Sequence, residues 1–234
     1  MELKNAVAVF TGANRGFGRH LATQLVERGA KVYGAARRPE TVDVPGVIPL
    51  RLDVTDEAST RAAARVASDT TLLINNAGIS TGATPIGGDM AAVRREMETN
   101  FLGTVAATRS FAPVIEGNGG GAVLNVLSTL SWFHPAGLGS YAASKAAAWA
   151  LTGATRDELA PRAIAVSALH VGYMDTDMDT DMAADVPAEQ KVAAGEVAAQ
   201  ALHGIETGLP EILADETSRH IKQSLAAAPQ PNAA

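Results

Sequence analysis

The chain predicts an α/β protein built on an open parallel sheet, and three observations carry that prediction. Short apolar, β-like runs alternate with amphipathic helical stretches along its length. The first run leads directly into a glycine-rich turn and then a helix, the order in which α/β folds build phosphate sites. A later run, VLNVLS at 123–128, is apolar enough to be a strand buried on both faces, as parallel strands are.

Composition sets the outer limits. At 234 residues, 24.1 kDa and 47% hydrophobic, the chain suits one domain, expected over residues 1–226 with a disordered tail at 227–234. It holds no cysteine, which excludes disulfides and thiolate metal sites. The N-terminal apolar part is too short for a signal peptide, and no run of about 18 apolar residues is present to span a membrane. A cytoplasmic location, with no membrane partner, follows by elimination. A net charge of -6 argues against a nucleic-acid surface.

Residues 6–10 form the first strand and enter Thr11-Gly-Ala-Asn-Arg-Gly-Phe-Gly18, with a helix over 19–28. Glycines at 12, 16 and 18 allow a sharp turn and close approach to a pyrophosphate, whose charge the helix N-terminus favours. The second strand, 31–35, ends in Ala36-Arg37-Arg38, where NAD-binding folds carry an acid for the ribose 2′-hydroxyl. Two arginines there, with Arg15 in the glycine turn, suit a 2′-phosphate and hence NADP(H); a solvated basic turn is the other reading.

Strand 47–52 places Asp53 and Val54 beside an adenine, and Thr55 is expected to cap the next helix. Strand 72–74 ends in Asn75-Asn76-Ala77-Gly78, whose asparagine amides can tie neighbouring strands. Residues 89–116 read as two helices, the second opening at Asn100, which either caps a break or serves a buried polar task.

Tyr141 and Lys145 lie four apart in an alanine-rich helix, so phenol and ammonium share a face. An adjacent ammonium favours the phenolate and makes tyrosine usable for proton transfer. Ser128, at a strand end, could converge on them; an exposed polar pair and a turn serine is the plainer reading.

Taken together, TGANRGFG, NNAG, Asn100, Ser128 and Tyr141-x-x-x-Lys145, in this order and spacing, resemble the short-chain dehydrogenase/reductase family over essentially the whole chain. The resemblance implies a doubly wound parallel sheet of Rossmann type, in three α/β/α layers. It also implies hydride transfer between nicotinamide C4 and a ketone or aldehyde, or an alcohol in reverse. In that scheme Tyr141 is the general acid or base, and Lys145 holds the nicotinamide ribose and lowers the tyrosine pKa. Ser128 orients the reacting oxygen, and Asn100 holds a water linking Lys145 to solvent. The contacts expected for NADP(H) are Gly12, Asn14, Arg15, Gly16, Phe17, Gly18, Arg37, Arg38, Asp53, Val54, Asn76, Ala77, Gly78, Tyr141, Lys145, Gly172 and Thr176.

After Lys145 the helix is alanine-rich on nearly every face, which suggests a subunit interface; the family resemblance likewise implies a homodimer or homotetramer. A strand over 163–169 leads into Gly172 and Thr176, where Val171 replaces the proline usual in the family. The run DTDMDTDM lacks the glycine and glutamate of a calcium loop, and the histidines lack metal-ligand spacing, so no metal is expected. Residues 175–187 read as a lid or a solvated loop. Leu130, Trp132, Phe133, His134, Tyr173, Met174 and Met178, together with Met182, are expected to wall a mainly apolar substrate pocket, with His134 at its rim. Residues 189–206 and 216–226 read as helices around a strand at 211–214. The overall expectation is an NADPH-dependent carbonyl reductase or alcohol dehydrogenase, the alternative being an NADP-sensing regulator without chemistry.

Overall fold

A computed structural model describes residues 1–176, 186, 187, 189 and 191–226. The strands are β1 (Val7–Thr11), β2 (Lys31–Ala36), β3 (Val47–Arg51), β4 (Leu72–Asn75), β5 (Gly121–Val126), β6 (Ile164–His170) and β7 (Glu211–Leu213). All pair in parallel in one seven-stranded sheet of order β3-β2-β1-β4-β5-β6-β7. The chain winds outward from β1 in one direction, then restarts at β4 in the other. This is the doubly wound topology, and its switch point lies between the C-terminal ends of β1 and β4.

The helices are α1 (Gly16–Glu27), α2 (Glu57–Val66), α3 (Met90–Glu96), α4 (Gly103–Gly117), α5 (Gly139–Leu159), α6 (Ala194–Thr207) and α7 (Glu216–Ser224). Strand alternation decides which helices cover which face. Along β1, Ala8 and Phe10 pack with Leu21 and Leu25 of α1 and with Ala201 and Leu202 of α6. Val9 points the other way, into a core with Ala63 of α2, Phe111 and Ile115 of α4 and Leu159 of α5. Phe10 and Phe111 are fully buried, each contributing about 2–3 kcal/mol of apolar transfer before its ordering cost.

Five sequence expectations shift here. Helix α1 starts inside the glycine turn at Gly16, because Phe17 buries itself against the sheet and anchors the first turn. Asp56, not Thr55, caps α2: its carboxylate accepts from Ala58 N–H, while Thr55 bonds back to Asp53. The two helices expected over 89–116 are one run, joined by a π-helical segment, Met97–Leu102, with Asn100 buried inside it. Helix α6 begins only at Ala194, because Val192 is extended and bridges to Met174. The last helix also ends earlier than expected, at Ser224. Met178, Met182, most of the 175–187 lid and the tail at 227–234 lie outside the described residues.

Candidate active site

The switch point opens into a cleft of about 830 Å³, and residues from both windings of the sheet line it. Its floor is the glycine turn. Gly12 has φ +74°, a left-handed conformation, and a Cβ on it would lie 3.0 Å from Asn76 Nδ2. Gly18 is tighter still, since a Cβ there would sit 2.2 Å from the Gly12 carbonyl oxygen. Gly18→Ala is therefore expected to displace the first turn of α1 from the phosphate end. Dinucleotide affinity should fall at least ~10-fold, and a titration with affinity intact would show that the turn tolerates the shift.

Thr11 and Asn76 hold the two sides of the switch point together. Thr11 Oγ1 accepts the N–H of Asn76 at 3.1 Å and of Ala77 at 2.9 Å, and Asn76 Nδ2 donates to the Thr11 carbonyl at 2.9 Å. Asn75 ties β4 to β5 in the same way, donating to Asn125 Oδ1 at 2.8 Å and Thr108 Oγ1 at 3.0 Å. The asparagine pair thus links neighbouring strands at the site, as its amides allow.

At one end of the cleft Asn14, Arg15, Arg37 and Arg38 stand near Asp53, Val54 and Thr55. Arg15, Arg37 and Arg38 are exposed, so their guanidinium groups can reach an incoming anion. At the other end Ser128 leaves the tip of β5, while Tyr141 and Lys145 project from the first turns of α5. Residues distant in sequence thus share one cleft, and Gly16, Phe17, Gly18, Ala77, Gly78, Gly172 and Thr176 line it too.

The local chemistry is specific. Ser128 Oγ accepts the Leu130 N–H at 3.1 Å, a bond that uses a lone pair and leaves the hydroxyl proton for another acceptor. Lys145 Nζ donates to the Val126 carbonyl at 2.9 Å and lies 5.8 Å from the Tyr141 ring centre. Burial pulls the Lys145 ammonium down to about 8, which leaves it mostly charged at neutrality. Behind Ser128, buried His170 approaches the Ser128 carbonyl through Nδ1 at 3.3 Å. A carbonyl only accepts, so Nδ1 carries the proton, and burial keeps the ring neutral by lowering its pKa to about 4.

Asn100 stands behind the cleft rather than in it. Its Oδ1 accepts the Ile79 N–H, and its Nδ2 donates to the Ile79 carbonyl and to Ser144 Oγ, each at 2.9 Å. A Cβ on Gly78 would lie 3.3 Å from Asn100 Oδ1 and 3.6 Å from Lys145 Nζ, so Gly78 packs closely against both groups.

Two expected pocket residues lie elsewhere. Trp132 is buried, stacks on His170 at 3.8 Å and meets Trp149 edge-on, because its large apolar ring finds a packed slot below the site. His134 lines a separate groove of about 700 Å³ with Pro85, Ile86 and Ala143. Leu130, Phe133, Tyr173 and Met174 do line the cleft. Thr217 and Ile221 of α7 join them, and residue spacing did not announce these two. The link that brings them is tertiary: the Asp215 carboxylate accepts the Gly172 N–H at 2.6 Å while capping α7 at Ser218 N–H. That bond also anchors the turn in which Val171 stands for proline. Arg95, Glu98 and Thr99 reach the cleft from the helical run that includes the π segment, another feature without a spacing signal.

A doubly wound sheet with a glycine cradle at its switch point, and a serine, tyrosine and lysine beside it, defines a dinucleotide-binding oxidoreductase site. The short chain dehydrogenase family model matches residues 6–187, and the chain belongs to that family. Among curated proteins it is 33% identical over 184 residues to an NADPH-dependent 1-acyldihydroxyacetone phosphate reductase of Schizosaccharomyces pombe, covering 75% of this chain but only 62% of that relative. It is 33% identical over 188 residues to a galactitol 2-dehydrogenase of Cereibacter sphaeroides, covering 75% of this chain and 74% of that one. The solved structure of a short chain dehydrogenase from Burkholderia cenocepacia, in complex with NADP, superimposes with a TM-score of 0.90 at 39% identity, covering 97% of this chain and 95% of that one.

Proposed function

We propose that the chain is an NADPH-dependent carbonyl reductase, or an alcohol dehydrogenase in the reverse direction, with Tyr141 as general acid or base. The observation that carries this reading is the convergence of Ser128, Tyr141 and Lys145 on the cleft that also holds the glycine turn and Arg37. The family membership and the NADP complex of the Burkholderia relative support the cofactor. NADP(H) supplies the hydride when bound.

The protein's part is to hold and to balance charge. Residues Gly12 to Gly18 cradle the pyrophosphate at the N-terminus of α1, and Arg37 and Arg38 meet the 2′-phosphate with paired N–H donors. Ser128 donates its free proton to the substrate oxygen and orients it. Tyr141 gives that oxygen its proton as negative charge builds, and the Lys145 ammonium beneath stabilises the phenolate left behind. Leu130, Phe133, Met174 and Ile221 wall the far end with apolar surface, which suits a carbonyl compound carrying a hydrophobic group. Residues 1–226 act as one catalytic unit in the cytoplasm. The exposed small residues Ala143, Ala150, Gly153 and Ala154 on α5 provide the contact face of a homodimer or homotetramer.

The deciding experiment incubates the protein and NADPH with a panel of aliphatic and aromatic ketones and aldehydes, followed by loss of NADPH absorbance. Consumption with at least one of them is expected. Binding of NADPH with no consumption across the panel would replace this reading by a nucleotide sensor. Arg37→Asp is expected to weaken NADPH at least ~10-fold more than NADH, since only the former carries the phosphate; equal losses would put the 2′-phosphate elsewhere.

A further inference from the structure

One turn before Asn100 the same helical run makes a second polar connection, which the reaction proposed above does not use. Glu96 is the last residue of α3 and is 0% exposed. Its Oε1 accepts the Thr81 N–H at 2.6 Å and the Thr81 hydroxyl at 2.9 Å, and its Oε2 shares a short hydrogen bond with Ser140 Oγ. Among the described residues no lysine, arginine or histidine forms an ion pair with it.

Beside the Asn100 contacts, this one forms the second rung of a ladder. Glu96 and Asn100 are four residues apart and share a helix face, and so do Ser140 and Ser144 on α5. Asn100 joins Ile79 to Ser144, and Glu96 joins Thr81 to Ser140. Tyr141 and Lys145 each immediately follow a rung serine. We propose that Glu96 is a positioning residue of the active site, whose rung sets the first turn of α5 and thereby the place of Tyr141.

Ser140 has one proton and lies within reach of two oxygens, the Ala83 carbonyl at 2.7 Å and Glu96 Oε2. Its hydroxyl can donate to either, which ties the first turn of α5 to residues 83 and 96. Ser144, on the other rung, accepts from Asn100 Nδ2 and donates to the Tyr141 carbonyl at 2.7 Å. With both Glu96 oxygens bonded, the rung strands no buried polar group.

Glutamine keeps a hydrogen-bonding group at both ends, a carbonyl toward Thr81 and an N–H that Ser140 Oγ can accept while its own proton goes to the Ala83 carbonyl, whereas leucine offers volume alone. Glu96→Gln is expected to keep turnover within about twofold of wild type and the Thr81 amide protected from hydrogen exchange. Glu96→Leu should lower kcat roughly tenfold to a hundredfold through misplacement of Tyr141, leave the KM for NADPH unchanged and speed Thr81 exchange.

Glutamine as damaging as leucine, or a leucine variant that loses cofactor affinity and kcat in parallel, would each overturn the proposal. Should Glu96→Leu not fold, Ser140→Ala breaks the same rung from the other helix, and full kcat there overturns it equally. Only the kinetic arm rests on the reductase reading: if the wild-type protein reduces nothing, that reading fails, and the exchange comparison still decides the ladder.

Discussion

Tyr141→Phe is expected to lower turnover at least ~100-fold while leaving NADPH affinity within about twofold. The substitution removes one oxygen from a buried ring that packs with Leu130 and Ala142, so the packing that places the ring is retained. The hydroxyl that would give the proton is lost. Ser128 still orients the substrate oxygen and Lys145 still supplies charge, but neither stands in for an acid of the right strength at that oxygen. Turnover by absorbance and affinity by fluorescence titration separate the two effects. Turnover within about threefold of wild type would remove Tyr141 as the acid, and a parallel loss of affinity would mean that the hydroxyl serves the cofactor instead.

Much of this site is legible in the sequence because its parts are local. A strand, a glycine turn and a helix follow one another within residues 7–27, so the phosphate cradle is written in consecutive residues. The spacing of Tyr141 and Lys145 is one helical turn, and Ser128 ends a strand, where open sheets gather their ligands. What spacing does not carry is any residue placed by tertiary packing. Trp132 has the composition of a pocket wall but stacks on His170, because an aromatic beside a buried ring gains more from packing than from facing the cleft. Thr217 and Ile221 reach the site only through the Asp215 clamp on Gly172, a hydrogen bond across 43 residues of sequence. The π segment is hidden for the same reason, since the widened turn that buries Asn100 is fixed by bonds to Ile79 and Ser144 rather than by propensity.

Lys145→Met separates function from stability and should move them in opposite directions. Turnover is expected to fall at least ~100-fold, because the charge beneath Tyr141 disappears. The ligand-free fold, by contrast, should gain stability at neutral pH. Burial lowers the Lys145 ammonium from its ordinary 10.5 to about 8, a difference that corresponds to as much as about 3 kcal/mol against the folded state. Methionine fills the same slot without charge but forfeits the bond to the Val126 carbonyl, a loss of about 1–2 kcal/mol, so the net gain near pH 7 is about 1–2 kcal/mol. Between about pH 8 and pH 10.5 the unfolded chain binds more protons at this position than the folded one does. Wild-type stability relative to the variant therefore rises with pH across that window, and the penalty is present in full below it. Above it both states hold a neutral amine, the hydrogen bond alone remains, and wild type becomes the more stable. Urea unfolding of both proteins at about pH 7 and about pH 10 reads this crossing directly. A variant less stable than wild type at the lower pH would mean that Lys145 is not held against its charge. The wild-type fold would then carry its active-site ammonium at no cost.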